Sequence, residues 1–283
     1  MSKKYDIGGV VEVLDHGYIK LVDVMGSDSD ICTAARVSYH EGSTKKTNED
    51  KGLIDHLLRH RHTSPFEMGE MKFEIKLPIF VERQWVRHRT CSMNEMSGRY
   101  SEMPEEFYIP DLDVIRKQSK TNKQGGSESA EHTNAVYYRD NLIAKGEEVF
   151  EDYREALVGD VARELARVPL PLGTYTKKVW KMDLHNLFHF LKLRTDSHAQ
   201  WEIQLYAREI EKFVEHHFPW SYASWKNHIK DAVTFSADEL KMLYSMMMGY
   251  GIGEVNQKLS KARKAEFAAK LAKIGPEWEV HVK

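Results

Sequence analysis

Residues 71–78 read MKFEIKLP, so that apolar and charged side chains alternate up to a proline. A period of two is typical of an antiparallel strand with one buried and one solvated face. We therefore predict a strand from Met71 to Leu77 that ends at Pro78, followed by a helix from Ile79 to about Arg89. Working outward, the patterns predict a strand at Tyr18–Met25 and helices at Asp28–Val37, Asn48–Arg61, Ala135–Val158, Asp160–Val168 and Asp183–Phe218.

Two of the later helices carry arginines, and the face of the helix on which each arginine lies predicts whether it is solvated or buried. In the helix Asp160–Val168, Arg163 and Arg167 lie four residues apart, and such a pair is usually solvated. In the helix Asp183–Phe218, Arg194 falls on an apolar stripe and should face the core, where a charge needs an acidic partner or an anionic ligand. The proposed apolar face of the first helix is Val161, Leu165 and Val168, and the stripe of the second is Leu187, Leu191, Arg194, His198, Trp201 and Leu205.

Bulk composition excludes some classes of protein. The chain has 283 residues and a net charge of −2, which argues against a protein that coats nucleic acid through a generally basic surface. Its start lacks the apolar run of a signal peptide, and no stretch approaches the ~20 apolar residues of a membrane span. Cys32 and Cys91 are the only cysteines, so we expect reduced thiols and a cytoplasmic location. From the charge and the lack of apolar runs, we expect neither nucleic acid nor a membrane as partner.

Residues 87–100 read RHRTCSMNEMSGRY, which concentrates arginine, histidine, serine, asparagine and glutamate in one segment. Arginine presents a planar fork of donors that suits phosphate, and the other side chains can recognise a heterocycle or a sugar. The alternative is an exposed network of ion pairs. The apolar flanks, with Val81 and Trp85 before the segment and Met93 and Met96 within it, predict instead that much of it is buried. The implied ligand is a nucleotide-like anion.

The same segment resembles the signature of the flavin-dependent thymidylate synthases, in which Arg-His-Arg is followed after seven residues by serine, here Ser97. Three other stretches agree with that family. They are HTSPFE at 62–67, LAR at 165–167 with LPL at 170–172, and FLKLRTDSHAQWE at 190–202. The resemblance covers about residues 17–225.

The resemblance implies a fold, an assembly and a reaction. The fold is of the α+β class, an antiparallel sheet flanked by helices in a single catalytic domain, here residues 1–226. The family forms homotetramers whose active sites are shared between subunits. The reaction is reductive methylation of dUMP to dTMP, with 5,10-methylenetetrahydrofolate as one-carbon donor, FAD as flavin, NADPH as reductant and no metal.

The resemblance also assigns residues to the ligands. For FAD we expect contacts from Asp183, His185 and His189 on the late helix and from motif residues. Some family members have asparagine in place of Asp183 and His189. His62 and Tyr100 are candidates for folate or flavin positioning, but such residues are more often plain core residues. Arg167 should reach the nucleotide phosphate of a neighbouring subunit. The dUMP set is Gln84, Trp85, Val86, Arg87, Glu95, Met96, Ser97, Gly98, Arg99, Arg167 and Arg194. The FAD set is Ser64, Arg87, His88, Arg89, Glu95, Asp183, Leu184, His185 and His189.

The chemistry requires that C5 of uracil become nucleophilic. An enzyme can add a thiolate at C6 or stabilise negative charge on the N3–O4 side of the ring. Cys91 stands at a variable position of the family motif, so we read it as a small buried side chain, and we expect Ser97 to hydrogen-bond the nucleotide. Arg194 is then the predicted catalytic residue, because its fixed charge favours the anionic ring. The competing interpretation is a structural ion pair of Arg194 with Glu95 or Glu202.

Two segments and two rival functions complete the expectations. Residues 117–135 are polar and aperiodic and predict a surface excursion. Residues 227–283 predict a helical extension without catalytic role: a capping box at Ser236–Glu239 opens a helix through Met247, and a lysine-rich helix follows at Asn256–Ile274, solvated or in contact with RNA or an acidic partner. The rivals are a flavoprotein for another pyrimidine nucleotide and a non-enzymatic nucleic-acid-binding module, which the even charge balance disfavours.

Overall fold

The computed structural model describes residues 3–38, 47–120, 125–248 and 260–275. The chain divides into two compact units on either side of the peptide bond between Trp225 and Lys226. In the described part of the chain, no helix is long and apolar enough to cross a membrane.

The first unit is built on a five-stranded antiparallel sheet. The strand predicted at 71–77 is its centre, and its side chains alternate between buried and half-buried as the sequence requires. Helices accompany the sheet, so the predicted α+β fold is confirmed. The strands are β1 Val10–Val13, β2 Gly17–Met25, β3 Glu70–Pro78, β4 Ser92–Glu95, β5 Arg116–Gln118, β6 Gly126–Ser129 and β7 Tyr175–Asp183, with the order β1-β2-β3-β7-β4 in the large sheet.

Several strands are not predicted by the local sequence patterns. β7 reads YTKKVWKMD, and its alternation is obscured because Lys178 occupies a buried position. β4 lies inside the motif segment 87–100, where no strand is predicted. β5 and β6 pair with each other, so the region 117–135 contains a small antiparallel ladder rather than an irregular excursion throughout.

Four of the predicted helices lie at the predicted positions with shifted ends: Asp28–Val37, Asn48–Arg61, Ile79–Arg89 and Ala135–Val158. Ser27 caps the first one, its side chain accepting a hydrogen bond from the backbone N–H of Asp30. In the first unit the observed helices are α1 Asp28–Arg36, α2 Thr47–Arg59, α3 Ile79–Trp85, α4 His132–Val158, α5 Arg163–Ala166, α6 Leu184–Arg194, α7 Trp201–His217 and α8 Pro219–Trp225; in the second unit they are α9 Ala237–Met247 and α10 Lys261–Ala272.

The predicted continuous helix Asp183–Phe218 is wrong. It is divided into α6 and α7, and the stripe expected to bury His198 is interrupted: this imidazole is 77% exposed and pairs with Asp196 at 2.8 Å. The break has a local cause. The Thr195 hydroxyl donates to the Leu191 carbonyl at 2.8 Å, and the Asp196 carboxylate accepts from the backbone N–H of His198 at 2.8 Å. Such side-chain bonds to the backbone compete with a helix.

The helix expected at Asp160–Val168 is also shorter than predicted. Only α5 is helical, and the supposed apolar face points to solvent, since Leu165 is 63% exposed while Ala166 is buried. Asp160 has a φ of +60°, which is incompatible with a regular helix at that residue. Val161 and Val168 are likewise exposed.

The core beneath the carboxyl end of α3 is aromatic. Trp85 is fully buried, with its ring 5.2 Å from that of Trp180 on β7, 4.8 Å from Phe190 on α6 and 6.0 Å from Tyr206 on α7. These contacts tie α3, α6 and α7 to one face of the sheet. The residues that follow Trp85 therefore emerge from a rigid base.

The second unit has a small core of its own. Met242 on α9 packs with Phe267 and Leu271 on α10. The predicted capping box is present, with the Ser236 and Glu239 side chains bonding reciprocally to the backbone. The predicted helix Asn256–Ile274 is observed as α10, and residues 256–259 lie outside the described part of the chain.

Candidate nucleotide-binding site

Arg194 links the two segments of chain that form the site. It is the last residue of α6, and its Nε donates to Nε2 of His88 at 2.9 Å while Nη2 donates to the carbonyl of Gln84 at 3.1 Å. α3 ends at Trp85, four residues earlier than expected, so His88 lies in the turn that leads to β4. The competing interpretation, an ion pair of Arg194 with Glu95 or Glu202, is not found among the described residues, where Arg194 bonds to His88 and to the Gln84 carbonyl instead.

A cavity of about 270 Å³ opens beside this contact. Three arginines line it, and in the described part of the chain none of them has an ion-pair partner. Positive charge without a protein counter-ion suits an anionic ligand such as a phosphate or pyrophosphate. The cavity is lined by Arg87, His88, Arg89, Thr90, Met182, Asn186, His189, Leu193 and Arg194.

His88 is held neutral. It is only 8% exposed, and burial, followed by the positive field of Arg194 and His189, lowers its pKa from 6.5 to about 4. A neutral imidazole has one acceptor nitrogen, which is what the Arg194 N–H requires. Burial also lowers the pKa of Arg194.

We expect His88 to titrate with a pKa of about 4, measured by ¹⁵N NMR of the imidazole ring. Because the folded pKa lies below the unfolded value, the unfolded chain binds the proton more readily between pH 6.5 and 4. This group should therefore remove on the order of 3 kcal/mol of stability as the pH falls through that window. A ring that titrates near 6.5 would contradict the neutral acceptor.

A second group of motif side chains lies at the end of β4. Glu95 accepts a hydrogen bond from the Thr176 hydroxyl at 2.8 Å, and Ser97 Oγ accepts from the Arg99 N–H at 3.3 Å. A Cβ at Gly98 would lie 2.9 Å from Cδ of Arg167, so the glycine leaves room for that arginine within the same chain. This group does not line the cavity beside Arg194.

A third location holds His62 and Ser64. Both line a separate cavity of about 790 Å³, together with His56. The rings of His56, His60 and His62 lie 4.4 to 6.2 Å apart, but no group of three potential ligands in the described residues is arranged to hold a metal. Within one chain, the predicted FAD residues thus do not share one cavity. Ser64 lines this cavity, and four others line the cavity beside Arg194, namely Arg87, His88, Arg89 and His189. The remaining four, Glu95, Asp183, Leu184 and His185, line neither.

Some of the predicted contacts cannot be made by side chains. Trp85 and Leu184 are fully buried, so only their backbone atoms could reach a ligand. Both carboxylate oxygens of Asp183 accept bonds from Asn186, because Asp183 caps α6. Gln84 is hydrogen-bonded to Gln200. Val86, Met96 and His185 are half-buried, and Tyr100 is exposed.

The expectation that the motif is largely buried is wrong. Arg87, Arg89 and Arg99 are exposed and Met93 is 39% exposed. The reason is topological, since β4 is an edge strand with one side unpaired. Cys91 is half-buried rather than buried, and its Sγ donates to the His88 carbonyl at 3.3 Å.

Sequence reasoning also missed Lys178 and its partner Glu82. Both are buried below the motif and form an ion pair. A lysine at an inward-facing position would have marked this contact, had β7 been recognised as a strand.

Comparisons with known proteins agree with one another. The family described as "Thymidylate synthase complementing protein" matches residues 20–220. A flavin-dependent thymidylate synthase of Ehrlichia ruminantium (strain Gardel) is 44% identical over 261 residues, covering 92% of this chain and 88% of the relative. A protein of the same name from Thermus thermophilus is 51% identical over 238 residues, covering 84% of this chain and 86% of the relative.

Solved structures point the same way. The crystal structure of the UMP/dUMP methylase PolB from Streptomyces cacaoi, bound with 5-Br UMP, superposes with a TM-score of 0.70 at 32% identity, covering 78% of this chain and 98% of that one. The complex of the same methylase with 5-Br dUMP gives 0.68 at 33% identity, covering 77% and 97%. Because the family model matches residues 20–220 and the relatives named above are 44% and 51% identical over most of the chain, this chain belongs to the flavin-dependent thymidylate synthase family.

Proposed function

We propose that this protein forms dTMP from dUMP by reductive methylation, with 5,10-methylenetetrahydrofolate as one-carbon donor, FAD as flavin and NADPH as reductant. The observation that carries the proposal is the Arg194–His88 contact in a cavity whose arginines have no ion-pair partner among the described residues. Family membership supplies the reaction type. The free thiols of Cys32 and Cys91 are consistent with a reducing compartment, so we assign the enzyme to the cytoplasm.

Arg194 is the proposed activator of the nucleotide. Its contacts with His88 and the Gln84 carbonyl use two of its N–H groups and orient the guanidinium, and other donors of the fork stay available. Placed at the N3–O4 side of uracil, this charge favours the anionic ring and raises electron density at C5. The burial that surrounds Arg194 strengthens the effect, because charge interactions are less screened there.

The remaining dUMP contacts are proposed for the motif residues. Ser97 Oγ already accepts a hydrogen bond from the backbone N–H of Arg99, and no general base in the described residues hydrogen-bonds this hydroxyl. The Ser97 hydroxyl is therefore suited to donate a hydrogen bond to the nucleotide and not to attack the ring. The half-buried thiol of Cys91 is likewise directed at a backbone carbonyl. The proposed dUMP set is Gln84, Trp85, Val86, Arg87, Glu95, Met96, Ser97, Gly98, Arg99, Arg167 and Arg194, with Trp85 acting through its backbone.

The residues that line the cavity beside Arg194 fit FAD. Arg87 and Arg89 are exposed cations without ion-pair partners among the described residues, and His189 adds a ring nitrogen beside them, which together suit a pyrophosphate. Bound FAD, once reduced by NADPH, would supply the hydride that converts the transferred one-carbon unit to a methyl group. Leu184 would contact FAD through its backbone atoms, because its side chain is fully buried. Asp183 would act at the start of α6, which its carboxylate caps. The proposed FAD set is Ser64, Arg87, His88, Arg89, Glu95, Asp183, Leu184, His185 and His189.

A site assembled from several copies of the chain would reconcile the two cavities. His62 and Ser64 line a different cavity from Arg87 and His88 in one chain, and the edge strand β4 is unpaired on one side. We therefore propose a homotetramer in which a second subunit brings His62 and Ser64 to the flavin. Tyr100, which is 80% exposed, would be available for the folate or the flavin across that interface.

The first test is the visible absorption spectrum of the purified protein, followed by anaerobic addition of NADPH with and without dUMP. We expect a flavin spectrum that bleaches, and bleaches faster with dUMP, and we expect dTMP once methylenetetrahydrofolate is added. A colourless protein that takes up no added FAD would refute the proposed function.

A different pyrimidine nucleotide is the alternative substrate. The observation that favours it is the structural similarity to a methylase of both UMP and dUMP. The same bleaching experiment with UMP and dCMP decides between the substrates. Methylation of UMP at a rate equal to or above that of dUMP would replace dUMP as the assigned substrate.

A further inference from the structure

A buried ion pair lies directly below the motif and has no part in the reaction proposed above. Lys178 on β7 is 1% exposed and Glu82 on α3 is 2% exposed, and the Lys178 ammonium donates to the Glu82 carboxylate. The other carboxylate oxygen of Glu82 has no hydrogen-bond partner in the described structure. Neither charge reaches solvent, so the pair is part of the core.

Stability alone does not explain this pair. Burial lowers the pKa of Lys178 to about 8 and raises the pKa of Glu82, so for each group the loss of hydration outweighs the attraction of its partner. Replacing a buried ion pair by apolar side chains of similar size is often neutral or stabilising. Retaining two buried charges at this position therefore calls for a reason other than stability.

Lys178 lies between the two elements that flank the motif turn. Its Nζ lies 4.1 Å from the centre of the Trp85 ring, at the end of α3. In the register of the sheet, Lys178 lies opposite Glu95, the last residue of β4. Its charge also helps to lower the pKa of His88. One ammonium group thus contacts the helix end before the motif turn and faces the strand after it.

These contacts are directional, whereas apolar packing is not. The Glu82 carboxylate and the Trp85 indole face both lie on α3 and both contact Lys178, so together they restrict the rotation of α3 relative to β7. The Gln84 carbonyl and the His88 ring, which both accept bonds from Arg194, sit on that same helix end and turn.

We propose that Lys178 and Glu82 are positioning residues whose ion pair orients the carboxyl end of α3, so that His88 and the Gln84 carbonyl receive Arg194 in its working geometry. The role of Arg194 in turnover rests on the proposed function, but the orientation of its guanidinium does not. The inference can therefore be tested on the protein with or without activity.

The decisive variant replaces both charges with apolar side chains, Lys178→Met with Glu82→Leu, in the full chain. We expect it to fold, because apolar side chains then fill the space of the pair. We expect the Arg194 Nε–H signal in ¹⁵N NMR to lose its protection from exchange, and kcat/KM for dUMP to fall about tenfold, mainly through kcat. Lys178→Arg, which keeps the charge, should retain most of both readouts.

The control is Lys72→Met, which removes an exposed ion pair with Asp23 (3.1 Å) from the same sheet and should change neither readout. A folded double variant with an unchanged Arg194 signal and unchanged kcat/KM would overturn the proposal and leave the pair as packing only. If the wild-type protein forms no dTMP, the proposed function fails while the NMR comparison still decides whether the pair orients Arg194.

Discussion

Replacing Arg194 by alanine is expected to lower the rate of dTMP formation by about 10²–10³-fold while bound flavin is retained. The guanidinium is the charge that stabilises the anionic uracil in the proposed mechanism, and His88, which contacts it, cannot replace it, because this ring is neutral and accepts its hydrogen bond from Arg194. Anaerobic single-turnover measurements should show the loss in the chemical step and not in flavin content.

Two further variants serve as comparisons for Arg194→Ala: one keeps the charge, and the other is a control at an exposed arginine. Arg194→Lys keeps a positive charge but loses the planar fork that reaches His88 and the Gln84 carbonyl together, so activity should be only partly restored. Arg208→Ala removes an exposed arginine from α7, whose hydrogen bond goes to Gln204, and should behave as wild type. Full activity in Arg194→Ala would exclude this residue as the activator.

Replacing Trp85 by alanine is expected to lower the free energy of unfolding by about 3–5 kcal/mol. The indole is fully buried and contacts the rings of Trp180, Phe190 and Tyr206, and the Lys178 ammonium lies over its face. The truncation leaves a cavity that these neighbours can fill only in part. Denaturation in urea, followed by circular dichroism, measures the change.

The matched control for this truncation is Tyr137→Ala, at a side chain that is 72% exposed on α4. We expect it to change stability by no more than about 0.5 kcal/mol. A loss of less than about 1 kcal/mol in Trp85→Ala would mean that the aromatic cluster does not hold α3 in place.

Local patterns predicted the elements whose residue spacing reflects the burial of one face alone. The alternation at 71–77 identified β3 because one face of that strand is buried and the other is not. β7 escaped detection because the charge of Lys178 is neutralised by Glu82, a residue 96 positions away in the chain. A buried charge looks like a surface charge until its partner is known.

By itself, the sequence determined the family, the motif and the types of side chain that can bind an anion, because these depend on residue identity and spacing. The tertiary structure alone decided how they are arranged. It broke the late helix so that α6 ends at Arg194, brought that residue to His88 across 106 positions, and left the motif exposed on an edge strand. These outcomes depend on long-range contacts and on competition between side-chain and backbone hydrogen bonds, which no local pattern records.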